Sequence, residues 1–451
     1  MKIGDGMYKP TRRDFLKLLG AGAAWALLGC AQPQKPAATP TPTPTPTPKP
    51  TPTPPKELKI GIISFRAGPA AAFGVPAHNT LDYLVEQVNA AGGIAGAKVK
   101  VVHEDQGLSP SDTVEKAKKL CLQDKVDVVT GIPGTNHTLA VAPVCDENNT
   151  FFLQCQARAE YGTWKDPEDP SKGVFDWVFH TANSTTSHAV QAAYIVKELF
   201  PETKVIAQIH QDYAYGYDNY NYFTAAIKKL MPDAELLDPL YPKIFSPDYT
   251  PYVSELVEAK PDFIFTSLWG TDFTRFVDQL IPYKLLKGTG GNTILEGYWD
   301  FYPAIGRDIP VFGHPQPFNQ GSIEYEEYRN ILIWYKKKYG NLEIAAVADI
   351  ISSFYTFKAA VEKAYDEKGA FPTRDEIRDA MENLGKVSTP YGEGIMRKED
   401  HRVLWTIECG VLAEDTKGYG LPYLYKPKIT LEPSKHEPPA FMKGTDWIAK
   451  W

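Results

Sequence analysis

Apolar residues in this chain recur in two alternating rhythms. Short runs at 59–64, 99–103, 126–130, 150–153 and 204–209 carry consecutive Ile, Val and aromatic residues. Such runs predict strands buried on both faces. Between them, apolar positions fall three and four apart. Ala77, Leu81, Leu84, Val85 and Val88 share one helical face, with Pro76 in its first turn and a stop at 89–93. Ser109 and Pro110 open a second helix carrying Val114, Ala117, Leu120 and Cys121, and further helices are predicted over 135–148 and 186–200. The rhythm continues with strands at 175–181, 263–265 and 293–296, and helices at 325–339, 345–366 and 373–383. Residues 402–412 alternate as a strand, and the Pro-rich tail from Lys426 reads as irregular. Strands alternating with helices predict an α/β protein with parallel sheets covered on both sides.

Such sheets bind ligands at the carboxyl edge of their strands, where helix starts present free N–H groups. Three loops qualify. The first, 66–74, holds small residues and ends near Phe73. It does not match a phosphate loop, because Val75 stands where Lys is needed and no G-x-G-x-x-G occurs. The second, 131–138, brings Thr135 and Asn136 to a helix start. Thr135 serves there as a ligand contact, a helix N-cap, or both. The third, 154–158, holds Gln156, Ala157 and Arg158. Arg158 would pair with a ligand carboxylate, neutralise an acid such as Glu160, or point to solvent.

Several segments in sequence resemble the type I periplasmic solute-binding proteins, the leucine/isoleucine/valine-binding family of ABC importers. They are Gly68, Pro69, Gly74 and Val88-Asn89-Ala90-Ala91-Gly92-Gly93-Ile94; His103-Glu104-Asp105-Gln106; Asp212-Tyr213-Ala214-Tyr215-Gly216; Asp248-Tyr249-Thr250-Pro251; and Thr389-Pro390-Tyr391-Gly392. The resemblance covers about residues 58–415. It implies two doubly wound parallel-sheet lobes, joined by a three-crossover hinge near Thr181, Pro315 and Ser388, with a ligand cleft between them. The lobes would divide as 58–182, 183–314, 315–387 returning to the first, and 388–425 returning to the second, followed by a tail over 426–451. It further implies a binding protein without enzymatic activity or cofactor, which delivers its ligand to ABC permease subunits. A sensor of the same fold, signalling to a membrane partner, is the alternative.

The resemblance also assigns roles. The 131–138 loop corresponds to the one that holds an amino acid's carboxylate, with Thr135 at the hydroxyl position. Tyr215 matches the tyrosine that closes over the ligand, and Tyr213 is its neighbour. Trp269, Glu296 and Tyr298 fall where an aromatic and an acid read the ligand's amine and side chain, although Trp269 is equally placed for the core. The family's small hydroxyl residues are replaced by Gln156 and Arg158, which argues against assuming leucine. The implied ligand is a small amino acid, amide or carboxylate.

The N-terminus adds an address. Thr11-Arg12-Arg13-Asp14-Phe15-Leu16-Lys17 matches a twin-arginine export signal, and a short apolar stretch follows. Leu27-Leu28-Gly29-Cys30 resembles a lipobox in which Cys30 is lipidated. Residues 1–30 are thus a signal peptide, and 31–57 a Thr-Pro-rich linker whose repeat over 39–55 reaches about 50 Å. Together they predict an extracytoplasmic protein anchored to the membrane by lipid.

Composition narrows the partners. Of 451 residues, 43% are hydrophobic and 23% charged, with a net charge of −7. That acidic balance, with no basic stripe, argues against nucleic acid. Cys121, Cys145, Cys155 and Cys409 form no C-x-x-C pair, so no metal site is expected; export permits one disulfide among the first three, and free buried thiols are the alternative. His78, His137 and His210 sit on candidate loops without metal spacing. No H-E-x-x-H or G-x-S-x-G motif suggests an enzyme.

Overall fold

The computed structural model describes residues 57–286, 293–297, 311–312, 325–340, 344–414 and 423–451. All of them fall in one compact unit, Thr51–Trp451.

The chain begins with β1 (Glu57–Ser64), α1 (Ala71–Ala90), β2 (Lys98–Asp105), α2 (Pro110–Lys118), β3 (Val128–Gly131), α3 (Thr135–Glu147), β4 (Phe151–Gln154) and β5 (Val178–His180). It continues with α4 (Thr185–Leu199), β6 (Val205–Ile209), α5 (Ala214–Leu230), β7 (Glu235–Leu236), α6 (Thr250–Ala259), β8 (Phe263–Thr266), α7 (Thr271–Leu280), β9 (Ile294–Glu296) and β10 (Val311–Phe312). Helices α8 (Glu326–Tyr339), α9 (Ile344–Lys368) and α10 (Arg374–Glu382) lead to β11 (Lys386–Thr389), β12 (Gly392–Arg397), β13 (Arg402–Trp405), β14 (Ile407–Glu414) and β15 (Tyr423–Leu431). Two short helices close the chain, α11 (Pro433–His436) and α12 (Gly444–Ile448).

These strands build two sheets, one per lobe. The first runs β11-β12-β13-β5-β4-β3-β1-β2, the second β15-β14-β10-β9-β8-β6-β7. Ile60 lies beside Val101 on one side and Val128 on the other, in parallel register. Ile62, Val129, Phe151, Phe152 and Leu153 are fully buried, which explains why these strands lack alternation: helices cover both faces. The stacked rings of Tyr83 and Trp334, 4.0 Å apart, fix α8 on α1, and Phe357 of α9 meets Phe151 edge-on. Helices α8 and α9 thus return to the first lobe.

The structure corrects the expected division in two places. Residues 388–425 were expected in the second lobe, but β11, β12 and β13 belong to the first sheet. β13 lies parallel to β5 at Arg402 and His180, and the other two add to it as antiparallel neighbours. The third crossover is therefore at Thr406, between β13 and β14. The tail, expected to be irregular, holds β15, paired antiparallel with β14. A register shift between Gly410 and Leu412 lets Lys426 and Pro427 sit outside the ladder, so Pro427 breaks no pairing. Helix α1 also starts earlier than predicted, at Ala71, leaving Pro76 inside it.

The hinge is held by buried polar contacts. Trp405 donates its indole N–H to the carbonyl of Thr181 at 3.0 Å, pinning the first and third crossovers together. Arg402 and Glu437, both buried, pair at 2.7 Å. Glu437 also accepts from the backbone and hydroxyl of Ser184, the N-cap of α4.

Candidate functional site

The carboxyl ends of β1, β3 and β4 and the facing ends of β6 and β8 meet across a cleft. Phe73, Pro133, Gly134, Thr135, Gln156, Ala157, Arg158, Tyr213, Tyr215 and Trp269 line it. Its free volume is about 20 Å³, close to that of one water molecule, so the lobes are closed. Phe73 of the first lobe and Trp269 of the second have ring centroids 6.1 Å apart.

One wall is polar. Gly134, at φ 98, caps α3, so Thr135 is the first helical residue and not the N-cap. The N–H groups of Thr135 and Asn136 belong to the orphan donors of a helix start. Gln156 receives the Ser64 hydroxyl on its carbonyl oxygen at 2.8 Å. Its amide NH₂ has no acceptor among the described residues, although the side chain is 4% exposed. A buried amide donor at a cleft wall is suited to a ligand oxygen.

Of the three readings open for Arg158, the structure favours neutralisation by an acid, with Asp349 in the place expected for Glu160. Its guanidinium contacts both carboxylate oxygens of Asp349, at 2.8 and 3.0 Å, and both side chains are buried. Asp349 belongs to the polar face of α9. Ser352 and Ser353 share that face and bond the hydroxyls of Thr181 and Thr130. Sequence reasoning missed Asp349. Its signal was available: a lone carboxylate in the apolar stretch 345–354.

The opposite wall is aromatic. Trp269 donates its indole N–H to the Tyr213 hydroxyl at 3.0 Å, so that oxygen is held from behind. The hydroxyl of Tyr215 lies 2.8 Å from Nδ1 of His188. Burial, helped by His210 and Arg158, pushes His188 well below the usual imidazole range, and the ring is neutral. Its Nε2 faces Glu296 at 3.8 Å. Burial drives the Glu296 carboxyl well above its ordinary value, disfavouring its charged form. Glu296 therefore stands behind Tyr215 and His188 and does not line the cleft. Asn136 lines a neighbouring cavity. Tyr298 and Cys30 lie outside the described residues.

The candidate histidines serve structure. His78 Nδ1 meets His103 Nδ1 at 2.9 Å, His137 bonds Thr113 at 2.7 Å, and His210 bonds Ser267 at 2.9 Å inside the second lobe. The cysteines at 121, 145, 155 and 409 are buried free thiols. Among the described residues, no group of three His, Cys, Asp or Glu side chains is placed to hold a metal.

Two α/β lobes closed over a cleft with a donor wall and an aromatic wall define a ligand-binding protein that works by enclosing its ligand. The sequence profile described as Periplasmic binding protein matches residues 57–417, and the chain belongs to that family. It is a type I periplasmic binding protein, a solute-binding protein and not an enzyme, of a family that works outside the cytoplasm. Over 174 residues it is 31% identical to Leu/Ile/Val-binding protein homolog 3 of Brucella melitensis, an overlap of 38% of this chain and 44% of that protein. Over 359 residues it is 23% identical to homolog 4 of the same organism, covering 76% of this chain and 81% of the relative. Among solved structures it resembles a solute-binding protein of an ABC transporter from Rhodopseudomonas palustris BisB5, in complex with 3,4-dihydroxybenzoic acid. That match has a TM-score of 0.69 at 18% identity and covers 84% of this chain and 98% of the other. At such identity the likeness is one of fold.

Proposed function

We propose that this protein is the lipid-anchored receptor of an ABC importer, and that its ligand is a small carboxylate or amide with an apolar or aromatic body. The observation that carries the reading is the contrast between the two walls. Gln156 and the start of α3 offer neutral donors to a ligand oxygen, while Phe73, Tyr213, Tyr215 and Trp269 offer flat apolar surfaces.

An α-amino acid would bring an ammonium group needing an anion. Among the described lining residues none is acidic. Asp349 is engaged by Arg158, and Glu296 stands behind His188, outside the lining, with burial disfavouring its charged form. The reading therefore favours a ligand without an ammonium, such as an aromatic acid, over leucine. The relatives' names point to branched amino acids and the structural neighbour's title to a benzoic acid, so both classes must be tested. Mass spectrometry of ligand released from freshly purified protein, followed by calorimetry, decides between them. Release of a carboxylate or amide with an apolar body supports the proposal; a zwitterionic amino acid as the native ligand overturns it.

The anchor rests on Arg12, Arg13 and Cys30 in the leader and on the Thr-Pro spacer that follows. Delivery to permease subunits rests on family membership.

A further inference from the structure

Beside the inner cleft lies a second cavity of about 350 Å³, lined by residues of both lobes. The two share Pro133, Gly134, Tyr213 and Trp269, so they are neighbouring chambers of one site. The inner chamber carries the donors but has free space of only about 20 Å³. The outer chamber has the room. Its walls are Phe65 and Leu108 from the first lobe, with Ile244, Phe245 and Trp269 from the second.

Two features mark the outer chamber as built for an apolar guest. Leu108 and Ile244 are 67% and 39% exposed, large aliphatic side chains held toward solvent from opposite lobes. Neither is buried by the protein itself, and both would lose water on contact with a ligand. The chamber also offers no charge among its lining residues. Its polar members are Asn136, His137 and the Tyr213 hydroxyl; Trp269 donates to the last, and His137 is occupied by the Thr113 hydroxyl and kept neutral by burial.

We propose that the outer chamber is a second subsite of the ligand cleft, which takes an alkyl or aryl extension of a ligand whose polar head lies in the inner chamber. The inference rests on the reading of the inner cleft as the site of a carboxylate or amide head. It goes beyond that reading by requiring an elongated, amphipathic ligand. A compact ligand such as benzoate would leave the chamber wet and would gain nothing from Leu108 or Ile244. An extended one would remove those two side chains from water and bridge both lobes, favouring the closed state over the open one.

The test is a length series. Benzoate, 4-ethylbenzoate and 4-butylbenzoate are titrated by calorimetry into the whole chain and into a Leu108→Ser, Ile244→Ser double variant. Both substituted positions are exposed, so the variant folds. Full burial of a methylene tightens binding by roughly fourfold. 4-Butylbenzoate is therefore expected to bind at least about tenfold more tightly than benzoate to the native chain. In the variant that gain should fall to a few-fold at most, each protein being referenced to its own benzoate affinity. Equal affinity across the series, or a variant that keeps the whole gain, overturns the subsite. The same titrations with the matching benzamides and phenols separate the two ideas. A length-dependent gain confined to phenols keeps the subsite and rejects the carboxylate or amide head. No binding by any member of the three series overturns the subsite as well.

Discussion

Arg158 and Asp349 meet in a two-oxygen contact, 191 residues apart in sequence and both inside the first lobe. The pair sets the electrostatics of the cleft. A guanidinium that would attract any anion is held in balance, so selection falls to neutral donors and to shape.

Asp349→Asn should expose that balance. Removing one partner of a buried ion pair leaves an uncompensated charge and typically costs about 3–5 kcal/mol. Urea denaturation should show a loss of that order, and saturating benzoate should recover part of it, because a bound carboxylate replaces the missing charge. A variant as stable as the native chain would mean that the pair contributes nothing to folding.

Tyr215→Ala should weaken ligand binding by about tenfold or more, because it removes one aromatic face of the cleft. The change should appear mainly in the release rate, since the ring closes from the second lobe. Stopped-flow displacement of the recovered native ligand measures it. A slower association rate with unchanged release would assign Tyr215 to capture instead of closure.

Phe73→Ala removes the ring that faces Trp269 across the cleft. Aromatic pairs contribute about 0.5–1.5 kcal/mol beyond their buried area. The ligand-free variant should therefore be more open, with a larger radius of gyration in small-angle scattering, and ligand should compact it. Identical scattering of variant and native chain, with and without ligand, would count against a hinged cleft.

Acid should unfold the protein early. Burial pushes His78, His180, His210 and His436 from 6.5 to about 4, 3, 3 and 4, respectively, with Arg402 adding to the effect at His180. The unfolded chain takes up protons at these groups below about pH 6.5, and the folded chain does not. Their contribution is whole above that pH and is lost as pH falls toward 4 for His78 and His436 and toward 3 for His180 and His210. A tenfold difference in proton affinity between the folded and unfolded chain is worth about 1.4 kcal/mol, so the summed loss is several kcal/mol. Glu296 runs the other way: its raised carboxyl favours the folded state at low pH and opposes it as pH rises. Glu296→Gln should accordingly raise the thermal midpoint at pH 8. A midpoint that stays flat from pH 8 to 4.5 would reject neutral buried imidazoles.

Cys30→Ala should release soluble protein from membranes, and Arg12→Lys with Arg13→Lys should block export. Fractionation with lipid labelling reads both. Membrane-bound, labelled Cys30→Ala protein would rule out the proposed anchor.

The fold was largely legible because doubly covered strands leave unbroken apolar runs, as at 59–64 and 150–153. The loops holding Thr135 and Gln156 followed from the order of strands and helices, and Tyr215 from the resemblance of its segment. What pairs with what was not legible. Alternation over 402–412 announces a strand but says nothing of which sheet it joins, and it runs through Thr406, where the chain changes sheets. The partner of Arg158 lies on a helix that returns from far along the chain, and the His188 support of Tyr215 depends on α4 packing against α5. The strand in the tail was hidden by Pro427, whose disruption a register shift absorbs.

Thr406 alone connects β13 of one sheet to β14 of the other. A swing of the lobes about such a link is a rotation with its axis passing near Trp405, Arg402 and Glu437. Atoms beside the axis hardly travel, whereas the chamber walls at Leu108 and Ile244, carried on opposite lobes, must part. The Arg402–Glu437 contact can then persist through every cycle, acting as a bearing and not as a latch. The full cost of desolvating those two charges is met once, at folding, and never again when ligand enters or leaves.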